Sequence, residues 1–148
     1  MKLNSFKYPL TVFLALLLLN FVLPLAANAQ KSLDDYKRIA QDNPKDAGAY
    51  YDWGVALGDL GRYEEAIEKY RRAIELRPNY SDVYYNWGWA LGKLGRYSEA
   101  IDKYKRSAEL DPQSDAFYNC GLSLSQVGRY EEAIEKYRRA TELNPNYA

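Results

Sequence analysis

The thirteen residues GRYEEAIEKYRRA occur twice, as Gly61–Ala73 and again as Gly128–Ala140. A chain that repeats an amphipathic phrase must build the same local structure at both places, and a fold with one central core does not ask for that. Other residues supply the period. Tyr36, Tyr70, Tyr104 and Tyr137 recur at intervals of 34, 34 and 33 residues, and Pro44, Pro78, Pro112 and Pro145 recur at the same intervals. Gly54, Gly88 and Gly121 follow at 34 and 33. The missing residue lies just after Pro112, where PQSD replaces the longer PNYSD. A period near 34 predicts an array of helical units that bury their apolar faces against one another.

Each unit reads as two helices. Over Ala47–Leu60, Tyr50, Trp53, Gly54 and Leu57 fall at i, i+3, i+4 and i+7, one face of an α-helix. Gly61 closes that helix, because glycine accepts the left-handed conformation of a helix end. Over Arg62–Leu76 the buried stripe is Tyr63, Ala66, Ile67, Tyr70, Ala73 and Ile74. Glu65–Lys69 and Glu68–Arg72 are expected as i, i+4 ion pairs on the wet side. Pro78 stops the second helix, since it has no N–H to donate, and Ser81 or Asp82 is expected to cap the next one. Gly54, Gly88 and Gly121 sit mid-helix, where glycine costs about 1 kcal/mol relative to alanine. Ala66, Ala100 and Ala133 follow each by twelve residues. Small residues at both places are predicted to let the paired helices approach closely.

These residues resemble the tetratricopeptide repeat family. Its pattern is an aromatic, then an apolar residue followed by glycine, then Ala-x3-aromatic, a further Ala and a closing Pro. The first unit supplies Tyr50, Trp53, Gly54, Leu57, Ala66, Tyr70, Ala73 and Pro78. The second supplies Tyr84, Trp87, Gly88, Leu91, Ala100, Tyr104, Ser107 and Pro112, with Ser107 a mild departure. The third supplies Phe117, Cys120, Gly121, Leu124, Ala133, Tyr137, Ala140 and Pro145. The resemblance implies an all-α fold, a right-handed superhelical solenoid of stacked antiparallel helix pairs. Its units would be residues 47–80, 81–113 and 114–147. Residues 30–46, with a helix over Ser32–Asp42, resemble the second helix of a degenerate preceding unit.

The first 29 residues differ from the rest. Lys2 and Lys7 precede LTVFLALLLL (Leu10–Leu19), and the segment closes with AANAQ (Ala26–Gln30). That order describes a secretory signal peptide with cleavage expected after Ala29. The rival is a retained membrane anchor, but Leu10–Leu25 contains Asn20 and Pro24 and falls short of the ~20 apolar residues of a span. The expected location is therefore periplasmic or secreted, with no stable membrane span after cleavage. The remaining chain carries 18 basic against 20 acidic residues, which offers no electrostatic footprint for nucleic acid. Cys120 has no cysteine partner and is expected to be a small buried apolar residue.

Chemistry has little to work with. The chain has no His, no Cys cluster, no P-loop and no glycine-rich nucleotide turn. No enzyme activity, cofactor or metal is expected. Glu64 and Glu65 point in different directions on a helix and read as solvated residues, not as an acid–base couple.

In the resembling family the first helix of each unit lines a concave surface. The stripe one residue round from the buried face is Tyr51, Val55, Gly58 and Asp59, then Tyr85, Trp89, Gly92 and Lys93, then Tyr118, Leu122, Ser125 and Gln126. Asp52, Asn86 and Asn119 lie beside it. The candidate partner-binding groove is thus Tyr51, Asp52, Val55, Tyr85, Asn86, Trp89, Lys93, Tyr118, Asn119 and Leu122. Aromatic and apolar surface with a few polar groups suits an extended peptide or a partner helix. The sequence leaves a second reading of the tyrosines open, namely that their rings pack between adjacent helices. Trp89 favours binding, because an indole on a concave face would otherwise stay wet. Gly58 and Gly92 would clear room for a ligand backbone or are poor helix formers tolerated in place. Some family members grip a carboxylate with Lys, Asn and Arg. Tyr51, Val55, Asn86, Asp115 and Asn119 stand at those positions, only Asn86 agrees, and such recognition is not expected.

A second function follows from the end of the array. No polar closing helix follows the third unit, and Ile134, Tyr137, Thr141, Leu143 and Tyr147 would leave an apolar end. That end would pair with another copy, giving a homo-oligomer, or dock into a complex.

Overall fold

The structure is a computed structural model that describes residues 23–147. Residues 1–22 of the expected leader lie outside the described residues. The chain divides into two compact units, residues 1–35 and 36–148. Of the first, the described part is the opening of helix α1 (Leu23–Asp42), which is longer than the expected Ser32–Asp42 and continues through Ala29 and Gln30.

The second unit holds six further helices. They are α2 (Ala47–Asp59), α3 (Tyr63–Leu76), α4 (Ser81–Lys93), α5 (Tyr97–Leu110), α6 (Ser114–Gln126) and α7 (Tyr130–Leu143), followed by a 3-10 turn at Pro145–Tyr147. No strand occurs among the described residues. No described helix is long and apolar enough to cross a membrane.

The connections follow from the repeated turn. Gly61, Gly95 and Gly128 have φ of 73°, 73° and 76°. Gly61 N–H donates to the Gly58 carbonyl and Arg62 N–H to the Leu57 carbonyl, both at 2.9 Å. This pair of bonds satisfies the last carbonyls of α2 and reverses the chain within a few residues. Arg96 and Arg129 make the matching bonds to Leu91 and Leu124. Each arginine then holds the glutamate three residues on with two hydrogen bonds: Arg62 with Glu65, Arg96 with Glu99 and Arg129 with Glu132, all at 2.6–2.7 Å. A carboxylate in the first turn also suits the positive end of the helix dipole.

Two local expectations are corrected. The ion pairs run at i, i+3 and not at i, i+4: Arg71 pairs with Glu68 at 3.2 Å and Arg72 with Glu75 at 2.8 Å. Lys69 is engaged elsewhere, with Nζ 4.1 Å from the centroid of the Trp53 ring. Neither Ser81 nor Asp82 caps α4. Tyr80 occupies the cap position without a side-chain cap bond. Its ring is held by Tyr51, centroids 5.2 Å apart, and by the Arg77 guanidinium 3.2 Å above it. Ring packing therefore fixes where α4 begins.

Within each pair the mid-helix glycine meets a tyrosine sixteen residues on. A Cβ placed on Gly54 would lie 2.5 Å from the Tyr70 ring, on Gly88 2.9 Å from Tyr104, and on Gly121 2.7 Å from Tyr137. The glycine thus makes a slot for an aromatic ring. Ala66, Ala100 and Ala133 are buried at the same crossings. Leu57, Leu91 and Leu124 complete the core, with Cys120 buried beside the last.

Candidate functional site

Successive pairs do not stack in a straight line. Helix α2 contacts α4 and α4 contacts α6, whereas α3 and α5 share no such contact among the described residues. First helices that touch while second helices spread apart put the first-helix row on the inside of the curve.

Much of the tyrosine stripe on that row is used to join repeats. Asn86 Nδ2 donates to the Tyr51 hydroxyl at 3.0 Å and to the Asp82 carbonyl at 3.2 Å. Asn119 repeats this one unit on, donating to the Tyr85 hydroxyl at 3.1 Å and the Asp115 carbonyl at 3.0 Å. Each asparagine so spends both amide hydrogens. The rings pack inward as well, Tyr85 edge-on to Tyr104 at 5.7 Å and Tyr118 tilted against Tyr137 at 5.6 Å. Burial raises the Tyr51 and Tyr85 hydroxyls above the ordinary tyrosine range, with nearby Asp82 and Asp115 adding to it.

Trp89 is also packed. Its indole lies 3.4 Å from where a Cβ on Gly58 would be, and Tyr63 meets it edge-on at 5.5 Å. Lys93 Nζ sits 5.4 Å from the ring centroid. Gly58 is therefore the bed of the chain's own indole.

Two hollows open on this row. The first, about 160 Å³, is lined by Val55, Asp59, Tyr70, Tyr85, Asn86 and Trp89. The second, about 280 Å³, includes Trp89, Lys93, Asn119 and Leu122 among its walls. Seven of the ten expected groove residues thus gather round two hollows that share Trp89. Asp52 is exposed, and it, Tyr51 and Tyr118 line neither. The walls also include Tyr97 and Ser123, together with Tyr70 and Tyr104, which sequence reasoning assigned to the core or left aside. Their signal was the register: a second-helix tyrosine filling a glycine slot has an edge on the inner side.

A separate hollow of about 220 Å³ lies among α5, α6 and α7, with Cys120 in its wall. Burial raises the Cys120 thiol above its ordinary value. No cluster of metal-ligating side chains occurs among the described residues.

Three family models match, described as TPR repeat over residues 56–95 and as tetratricopeptide repeat over 81–114 and 114–147. Together they cover well over half of the chain. The chain belongs to the tetratricopeptide repeat family. No curated protein matches it. Among solved structures it is similar to a crystal structure of MamA, with 26% identity, a TM-score of 0.76, and coverage of 80% of this chain and 70% of that one. It is also similar to MamA 41-end from Desulfovibrio magneticus RS-1, with 28% identity, a TM-score of 0.76 and the same coverages. A MamA RS-1 double mutant gives 27% identity and a TM-score of 0.76, over 82% of this chain and 71% of that one. As a tetratricopeptide repeat protein the chain is a superhelical protein-interaction scaffold and not an enzyme.

Proposed function

We propose that the chain is an exported scaffold that holds a peptide or helix of a partner protein along its inner face. The observation that carries this reading is the pair of hollows on the first-helix row, both walled by Trp89. Apolar concavities with a few fixed polar groups are the usual form of a recognition surface. Export is argued from the basic start, apolar run and Ala-x-Ala close of the leader. Selection from a displayed random-peptide library tests the groove. Selected peptides should lose binding with Lys93→Glu or Asp59→Arg and keep it with Arg71→Glu on a second helix. Loss with Arg71→Glu alone would move the site off the inner face.

A second reading is favoured by one observation. Ile134 is 63% exposed and Tyr130 62%, whereas Ile67 and Ile101, at the same register, are 4% and 1% exposed. In α3 and α5 that face is covered by the first helix of the next repeat; in α7 it is not. Such a face suits assembly with another copy or with a partner helix. Light scattering of wild type and Ile134→Glu at high concentration tests it. A mass that falls to the monomer only in the variant supports assembly, and a monomer in both refutes self-association.

A further inference from the structure

The two junctions between repeats are built on one plan but filled differently. At the first, Gly58 of repeat one lies under Trp89 of repeat two, with Tyr63 against the edge of the indole. At the second, Gly92 and Tyr97 stand where Gly58 and Tyr63 stood. The residue in the place of Trp89 is Leu122. Leucine does not reach. A Cβ on Gly92 would meet nothing within 4 Å, and Leu122 is 40% exposed. The hollow there is correspondingly larger, about 280 Å³ against about 160 Å³, and Gly92 and Tyr97 line it. The second junction is the first with its indole taken away.

We propose that the hollow between repeats two and three is a binding pocket for an aromatic side chain, with the indole of a partner's tryptophan as its fitting occupant. This rests on the groove reading above. The occupant is argued from the molecule itself, because the neighbouring junction shows the same bed holding an indole. The ring would lie over Gly92, take the Tyr97 ring edge-on, and have Leu122 and Gln126 along its outer side. Lys93 and Trp89 wall the inner end of the hollow. An aromatic ring placed edge-on to tyrosine gains beyond what its buried area gives, and an aliphatic side chain of similar length does not.

The test uses the whole described chain and small probes. N-acetyl-tryptophanamide, N-acetyl-leucinamide and N-acetyl-lysinamide are titrated into labelled protein and followed by two-dimensional NMR. The tryptophan probe should shift the amide signals of Gly92, Tyr97, Leu122 and Gln126 and spare those of Val55 and Gly58. It should bind about tenfold tighter than the leucine probe. Leu122→Trp, which supplies the missing indole from within, should abolish those shifts and raise the melting temperature. Gly92→Val is a second blocking variant, because its side chain enters open space. Equal binding of the leucine probe, no shifts at these residues, or undiminished binding by both blocked variants would overturn the pocket. Library peptides that occupy the groove without an aromatic residue would overturn it too while leaving the groove reading intact. If the library yields no groove binder, that reading fails, and the amide titration still decides the pocket.

Discussion

Replacing Gly54 with alanine sets two known effects against each other. Alanine in a helix interior is favoured over glycine by about 1 kcal/mol, so a site with room should gain stability. Gly54 has no room. The new methyl would lie 2.5 Å and 2.7 Å from two carbons of the Tyr70 ring. That ring is 1% exposed and bears on Tyr51, so it has nowhere to go without moving α3. Overpacking of this kind costs about 1–3 kcal/mol, and the closeness of the contact puts it at the upper end. The net expectation is a loss of about 2 kcal/mol, a melting temperature lower by roughly 10 °C in a domain of this size. Gly92 is the internal control: its Cβ meets nothing, so Gly92→Ala should gain about 1 kcal/mol, or roughly 5 °C. Thermal melts followed by circular dichroism measure both. A Gly54→Ala protein that melts with or above wild type would refute the slot. So would a double variant with Tyr70→Leu that loses the sum of the two single losses, because neighbours that clash must couple.

Asn86→Ala removes one bond to Tyr51 and one to the Asp82 carbonyl, and a loss of about 1–2 kcal/mol is expected in urea unfolding; Asn119→Ala should behave alike, and no change in either would show that the repeats are not joined there. Alkaline pH should unfold the array. Burial raises the hydroxyls of Tyr70 and Tyr104 well above the ordinary value, and those of Tyr51 and Tyr85 more moderately. Their contribution is whole below about pH 10, where an unfolded tyrosine titrates, and is lost as pH rises toward the folded values. Tyrosinate absorbance and helix signal followed together should show these residues ionising only as helix is lost. Full ionisation with helicity intact would contradict their burial.

The helices were legible because each boundary is written locally. The left-handed glycine at 61, 95 and 128 and the proline after each second helix are punctuation that needs no tertiary context. The helix start at Ser81 was not legible. Asp82 and Ser81 look like caps, but the position is decided by Tyr80 packing on Tyr51 and Arg77, thirty residues and three residues away. The same holds for the ion pairs. Lys69 is in register for Glu65, yet Trp53 of the partner helix claims it. At the groove, the stripe of first-helix residues was readable from period alone. What Trp89 does was not, because its burial depends on a glycine 31 residues earlier and a tyrosine on another helix. Sequence period tells which side chains face inward; it does not tell which neighbour fills the space between them.

The placement of the indoles also makes the molecule an uneven optical reporter. Trp53 belongs to the first repeat, Trp87 and Trp89 to the second, and the third has none. Lysines cover the first two rings, Lys69 and Lys103 each 4.1 Å from the centroid. Fluorescence emission therefore watches only the leading two-thirds of the array, while far-ultraviolet dichroism sees every helix. Any gap between the two denaturation curves is a direct gauge of how tightly the last repeat is yoked to the others.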